Sequence, residues 1–412
     1  YRQGIILETN SSYSAAVERY LKAAEIDDRY ADLQFRMGLC YWNMGEYDES
    51  RERYIQAREL DTLRFRADNQ INKVVRKVAS DKTTEGIYLV DACKVFEENS
   101  PHKIPGAELC YEHVHMNFEG NYLLAKTIFQ QVNKILPEWI IRDKADDRSI
   151  PTKEECARYL AYNDWTRQTI MEDVVNKFIK QPPFTNQLYQ SERVRKLEQE
   201  VDVLKAALTP DVMSEIEQKY HWAIRATPSD TWLYWKYGLM LEGLEKFNAA
   251  AEQFRMVLNY APNHYDASAK LGLLFGAQGN LDAAIEYSLK AVSINPSFAE
   301  AYFNLGLAYH FKQMYDEAVK SYSNSIRLNP DQAQSYNNLA LVLYQQGKAN
   351  EALETYRNGL SFMPDNVDLH YNLGVMLKTQ GQKEEAIREL RAALKIDPNS
   401  AKAHKILNSL LN

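Results

Sequence analysis

One segment of the chain holds residues whose types and spacing could do chemistry: Tyr111-Glu112-His113-Val114-His115-Met116-Asn117-Phe118-Glu119-Gly120. Glu112 and His115 stand three residues apart, a spacing that a turn can close into a contact between carboxylate and imidazole. A base in that setting removes the proton of a hydroxyl nucleophile, while the carboxylate fixes its tautomer and stabilises the imidazolium. The same stretch offers a second chemistry, since His113-x-His115 with His102, Glu112 and Glu119 supplies nitrogen and oxygen ligands for a metal. No second ligand pair of characteristic spacing accompanies them, so neither a metal nor a cofactor is expected. The competing reading is a connector with incidental histidines, in which His113 packs or sits in a loop.

The elements around the segment decide what it could be part of. Residues 65–79 predict an amphipathic helix with Ile71, Val74, Val75 and Val78 on one face. Gly86 then introduces Ile87-Tyr88-Leu89-Val90, an apolar run of strand formers whose lack of alternation predicts a buried, parallel strand. A long loop, 96–116, is punctuated by Pro101, Pro105 and Gly106. A helix follows over about 118–132, with Phe118, Tyr122, Ala125, Phe129 and Val132 on its buried face. Strand, loop and helix in that order close an α/β unit.

The order of residues in the histidine block resembles the last conserved block of the SGNH, or GDSL-type, esterase family. The resemblance implies that Glu112 is the acid, His115 the general base, and Asn117 and Gly120 the residues that start the final helix. Glu stands where that family usually has Asp. It covers residues 65–135, under a fifth of the chain, and implies an ester substrate. The family's other blocks are missing: no Gly-Asp-Ser turn follows a strand, no Gly-x-Asn-Asp segment supplies an oxyanion donor, and Ser100 precedes Pro101 in another context. These residues alone should therefore be inert toward esters, with any nucleophile block upstream. Tyr1 in first place points to processing or to an N-terminal portion beyond it, which could carry a signal or anchor.

The C-terminal half carries a different signal. Pro262, Pro296, Pro330, Pro364 and Pro398 recur every 34 residues, in register with small residues Gly238, Gly272, Gly306, Ala340 and Gly374 and with Ala250, Ala284, Ala318, Ala352 and Ala386. Small residues allow paired helices to cross closely, and proline stops each second helix because it lacks the backbone donor. This resembles the tetratricopeptide repeat, a helix-turn-helix unit with small residues at positions 8 and 20 and a late proline. The resemblance implies five repeats over 231–400, a degenerate half repeat before them at 211–226 and a capping helix after them, stacked into a solenoid with a concave groove. A shorter match opens the chain: Gly38, Gly45, Tyr54 and Ala57, with Ala16 and Ala23 one period earlier, give about one and a half units over 12–61. Gly38 and Gly238 are not a whole number of periods apart, so something interrupts the two arrays.

The fold expected is mainly α: repeat-like helices at 1–64, a small α/β segment at 65–135, a helical connector at 136–210 and a helical solenoid at 211–412. Pro137, Pro151 and Pro182-Pro183 divide the connector into helices near 153–162, 165–179 and 186–208.

In the array, register places the sixth residues Lys236, Lys270, Asn304, Asn338 and Asn372 on the concave face. The three asparagines form a row similar to the asparagine ladder of the O-GlcNAc transferase repeat domain, which implies a grip on extended peptide backbone. An amide offers donor and acceptor together, so it bonds a peptide group whatever its sequence. Phe303, His310, Tyr344, Tyr371 and Lys378 would add stacking surface and charge, and Lys236 and Lys270 could hold an acidic ligand residue.

Composition narrows the partners. The chain is 45% hydrophobic and 25% charged with a net charge of -7, which argues against a nucleic-acid footprint. No apolar run approaches the roughly 20 residues that span a bilayer. Cys40, Cys93, Cys110 and Cys156 are scattered without a Cys-x-x-Cys pair and read as mostly buried thiols. Three functions remain: a scaffold for proteins or extended peptides, a two-part ester hydrolase, and a structural connector.

Overall fold

The computed structural model describes residues 1–60, 69–111, 115–137, 150–181 and 190–411. These residues are helical, and no strand occurs among them; the nearest approach is an isolated antiparallel bridge between Cys110 and Met116. The chain divides into two compact units, 1–216 and 217–412, the boundary falling within the helix Pro210–Ala226.

Two helical hairpins open the first unit: Arg2–Thr9 with Tyr13–Ala24, and Ala31–Met44 with Tyr47–Leu60. The first helix extends the expected unit and a half to nearly two. Gly38 is small for a reason, since a Cβ there would lie 2.9 Å from the Tyr54 ring. Gly45, at φ +82°, makes the left-handed turn that other residues avoid. Leu33, Met37 and Cys40 pack on Ala16, Val17 and Tyr20 between the hairpins. Beside them, Arg36 bridges Glu8 at 3.0 Å and Asp32 at 3.1 Å, and Tyr20 donates its hydroxyl to Glu8.

The expected α/β segment is not formed. Residues 87–90 form no ladder with any described segment, and Ile87 and Tyr88 are 43% and 46% exposed. A strand satisfies its backbone only by pairing, and among the described residues no second strand is present to pair with. The run instead links Gly86, which ends a short 3-10 turn at φ +82°, to Asp91. That aspartate caps the helix Ala92–Glu98 by accepting from the Lys94 amide, and holds Arg76 at 2.6 Å. The stretch read as one long loop, 96–116, accordingly begins inside a helix and contains a second 3-10 turn, Pro101–Lys103.

The helices flanking this segment form where the structure describes them, 65–68 of the first lying outside the described residues, but their apolar faces are only partly covered. Asn69–Asp81 leaves Ile71, Val74, Val75 and Val78 exposed. In Phe118–Ile135 the first turns are packed, Phe118 stacking on Tyr162 and the Tyr122 hydroxyl donating to the Pro151 carbonyl. Ala125, Phe129 and Val132, expected on its buried face, are exposed. Lys153–Tyr159, Asp164–Val174 with a π turn at Val175–Ile179, and Gln190–Ala207 complete the unit. The capping box at Thr152 and Glu155 fixes where the first of these starts. Met171 packs on Val201 and Leu204, and Arg167 pairs with Glu200. Of the cysteines, all free, only Cys40 is buried; Cys93 is exposed and Cys110 and Cys156 are half-buried, contrary to the expectation for the set.

The second unit is a regular stack. Five hairpins run Thr231–Gly243 with Phe247–Tyr260, Tyr265–Ala277 with Leu281–Ile294, Ala299–Phe311 with Tyr315–Leu328, Ala333–Gln345 with Ala349–Phe362, and Val367–Thr379 with Lys383–Ile396. Ala401–Leu411 closes them. Each second helix ends two residues before the repeat's proline. At the crossing within a hairpin, a Cβ on Gly306 would lie 2.7 Å from the Tyr322 ring, so the glycine sets how closely the pair approaches. The helix Pro210–Ala226 feeds the stack through Tyr220, stacked on Tyr237 at 5.1 Å, and Ala223, fully buried.

Candidate binding groove and histidine block

At 3.6 residues per turn, positions 2, 5, 6, 9, 12 and 13 of each repeat share one side of its first helix, opposite the buried positions 4, 7, 8 and 11. From Tyr265–Ala277 onward, the first helices of successive repeats lie closer together than the second helices do. The stack therefore curves toward its first helices, and that shared side lines its inner face.

The sixth-position residues lie on this face, but much of their bonding capacity is turned on the protein itself. Asn304, 4% exposed, donates its amide to the Ala269 carbonyl of the preceding repeat at 3.3 Å. Asn372 donates to the Asn337 side chain at 2.8 Å. Asn338 is half-buried. Lys270 pairs with Glu242 at 3.1 Å, and the Lys236 ammonium sits over the Trp232 ring at 4.6 Å. His310 shares a hydrogen bond with Gln345 at 2.8 Å, and Lys378 donates to Ser409 at 2.6 Å. Each of these pairs except Lys236 with Trp232 joins residues 28 to 35 positions apart, so the polar groups of the face lace neighbouring repeats together.

The aromatic candidates divide. Phe303 and Tyr371 pack partly into the core, Phe303 against Tyr322 at 5.9 Å. The Tyr371 ring also receives the Lys402 ammonium at 4.9 Å, and the hydrogen bond from Lys402 to Asp368 holds that ammonium's pKa above its ordinary value. Tyr344 is exposed. Deeper in, burial and then Glu217 push the Tyr237 phenol up to about 12, which keeps it neutral and able to share a hydrogen bond with His221 at 2.9 Å.

A row on this face lies outside the residues that polarity singles out. Position 9, at its middle, is aliphatic in every repeat: Leu239, Leu273, Leu307, Leu341 and Val375. Leu341 is 43% exposed and the others are half-buried. Phe311, 69% exposed, stands beside Leu307's helix turn. The signal was available in the same register that gives the asparagine row.

In the histidine block, Glu112 and His113 lie outside the described residues. His115 is half-buried with its ring 4.3 Å from that of Phe178, and its carbonyl accepts from the Tyr111 amide. Asn117 and Gly120 do start the helix, for reasons of packing. The Asn117 side chain accepts from the Gly120 amide and donates to the carbonyls of Ala107 and Glu108. A Cβ on Gly120 would lie 2.2 Å from the Leu109 carbonyl oxygen. Gly120→Ala should therefore force the 106–111 turn off the helix and lower the stability of the first unit by about 1–3 kcal/mol. Thermal unfolding checks this; an unchanged transition would contradict the close approach.

The other residues of the metal reading are engaged elsewhere: His102 stacks on Tyr47 at 3.4 Å and Glu119 pairs with Lys153 at 2.6 Å. Among the described residues no cluster of three or more His, Cys, Asp or Glu is arranged to hold an ion. Ser100 is buried. A cavity of about 1640 Å³ does lie in the first unit, walled by Phe35, Arg36 and Leu39 on one side and by Arg193, Lys196 and Leu197 on another. Its lining mixes four acidic with four basic side chains, Arg36 pairing with Glu8 and Lys196 with Glu192, so it presents no field of one sign. No helix of the described residues is long and apolar enough to cross a membrane.

Residues 194–412, more than half of the chain, match the family model of the cilia and flagella-associated protein 70 C-terminal domain. Residues 31–62 match a tetratricopeptide repeat model. Neither model is of an SGNH hydrolase, and that resemblance finds no support. Among solved structures, the chain is similar to the MamA protein, at 28% identity over 42% of this chain and 94% of that one, with a TM-score of 0.37. It is also similar to YrrB, described as a tetratricopeptide repeat protein with an unusual peptide-binding site, at 18% identity over 46% and 97% with a TM-score of 0.38. A thermophilic tetratricopeptide repeat protein of Thermus thermophilus is 21% identical over 44% and 98%, with a TM-score of 0.36. No curated protein matches the chain.

Proposed function

Because the chain belongs to the family of the cilia and flagella-associated protein 70 C-terminal domain, we propose that it is a protein-binding scaffold of a ciliary or flagellar assembly. The observation that carries the reading is the inner face of five stacked repeats, laced by its own polar groups and open at Leu341, Tyr344 and Phe311. A stack of this kind holds its form without a ligand, because each repeat buries its apolar face on the next. A segment of a partner laid along it then meets a preformed surface, which reduces the ordering cost of binding.

The contact set proposed is Lys236, Lys270, Phe303, Asn304, His310, Asn338, Tyr344, Tyr371, Asn372 and Lys378. Asn304 and Asn372 would act chiefly by fixing the spacing of repeats, and Tyr344 and Asn338 by touching the ligand. Nothing in the geometry favours an ester hydrolase over this reading, since its strand is not formed.

A photo-crosslinking residue placed at Tyr344 in the full chain, expressed in ciliated cells, should give a discrete protein adduct. The same residue at Arg388, exposed on a second helix, should not give that adduct. Identical adducts from both positions, or none from Tyr344, would sink the groove reading.

A further inference from the structure

The aliphatic row specifies the chemistry of the occupant, an inference that rests on the groove reading above. Position 9 lies opposite the most buried positions of the first helix, where an amphipathic helix normally carries polar residues, although Leu307 also touches the core with part of its side chain. Leu239, Leu273, Leu307, Leu341 and Val375 fill it instead. Beside the row, meanwhile, the amides of Asn304 and Asn372, the His310 ring and the Lys270 ammonium are spent on neighbouring repeats.

A ligand bound here gains apolar contact and few hydrogen bonds. An extended peptide would leave its own donors and acceptors unmatched against such a surface, whereas a helix satisfies its backbone internally. Spacing agrees. From Tyr265–Ala277 onward the first helices of successive repeats touch; helices in contact lie about 8–10 Å apart, and seven residues of helix rise about 10.5 Å. Charge selects one flank: Asp266 and Glu300, at position 2 of adjacent repeats, lie along one edge of the row and have no ion pair among the described residues.

We propose that the groove receives an amphipathic helix of a partner protein, seated through aliphatic side chains at heptad spacing, with basic residues on the flank that meets Asp266 and Glu300.

The test uses the full chain and a synthetic peptide of about three heptads, with leucine at the two seam positions and lysine on one flank. Two controls accompany it: the same composition scrambled out of register, and glutamate in place of lysine. Fluorescence anisotropy should show binding of the in-register lysine peptide, with helix gained on binding by circular dichroism. Leu307→Asn with Leu341→Asn should weaken it by about tenfold or more. Leu341→Gln alone, at an exposed site, should weaken it by several-fold with the melting temperature unchanged, which separates contact from folding. Asp266→Asn with Glu300→Gln should erase the preference for lysine over glutamate.

Equal binding of the scrambled peptide, or affinity indifferent to the leucines, would overturn the inference. If hydrogen exchange still showed the peptide protecting the inner helices, the groove reading would survive that result; protection elsewhere would remove both. Self-association of the chain that the leucine substitutions abolish would assign the row to a second copy, and so also overturn the proposal.

Discussion

Replacing Arg36 by alanine is expected to destabilise the N-terminal repeats by about 3–5 kcal/mol, the usual cost of leaving a buried charge without its partner. The Glu8 side chain is 4% exposed and that of Arg36 11%, so water cannot take over the lost interaction. Arg36 also donates to the Tyr1 hydroxyl at 3.1 Å and pairs with Asp32, so it ties the helices Arg2–Thr9 and Ala31–Met44 together. Size alone would not produce this loss. Replacing both partners by apolar residues, Glu8→Leu with Arg36→Met, should therefore cost less than Arg36→Ala alone, because the deeply buried Glu8 carboxylate leaves with its partner and only the shallower Asp32 and the Tyr20 hydroxyl lose theirs. Denaturant unfolding with hydrogen exchange over 1–60 measures both. A double variant as damaged as the single one would mean that the helices are held by shape and not by charge.

What could be read in the sequence was what repeats. Gly306 and Ala318 face the same packing problem as Gly272 and Ala284, so one register exposes the whole solenoid, and Pro330 marks a stop that needs no knowledge of the rest of the fold. Pairings without a period were hidden. Glu8 and Arg36 are 28 residues apart in different helices, and neither type announces a buried ion pair. The run at 87–90 misled for a related reason: apolar strand formers describe a segment that could pair, and only the rest of the chain decides whether a partner exists. Its Ile87 and Tyr88 are left facing solvent. Register puts the asparagine row on the side of the first helices opposite the buried positions, yet the direction of each amide depends on how close the preceding helix comes. For Asn304 that approach puts the Ala269 carbonyl within reach, a distance that no spacing in the sequence encodes.

Phe254→Ala in the first full repeat should cost about 3–5 kcal/mol, the range for deleting a fully buried aromatic side chain. The ring is completely enclosed, lies 5.3 Å from that of Trp235, and occupies the space that the missing side chain of Gly238 leaves free, where a Cβ would stand 2.7 Å away. Helix Phe247–Tyr260 packs on its own partner Thr231–Gly243 and on Tyr265–Ala277 of the next repeat, so the cavity weakens a contact between repeats as well as one within. In a quasi-one-dimensional stack the damage should spread to neighbours and fade with distance. Hydrogen exchange should show the largest loss of protection over 231–277 and progressively less toward 401–411. Because Gly238 and Phe254 fill one space, Gly238→Ala, which overfills it in the native chain, should be better tolerated in the Phe254→Ala background. Additive losses in that pair, or a loss of protection spread evenly to the last helix, would show that the array unfolds as one block and that the glycine does not set the crossing.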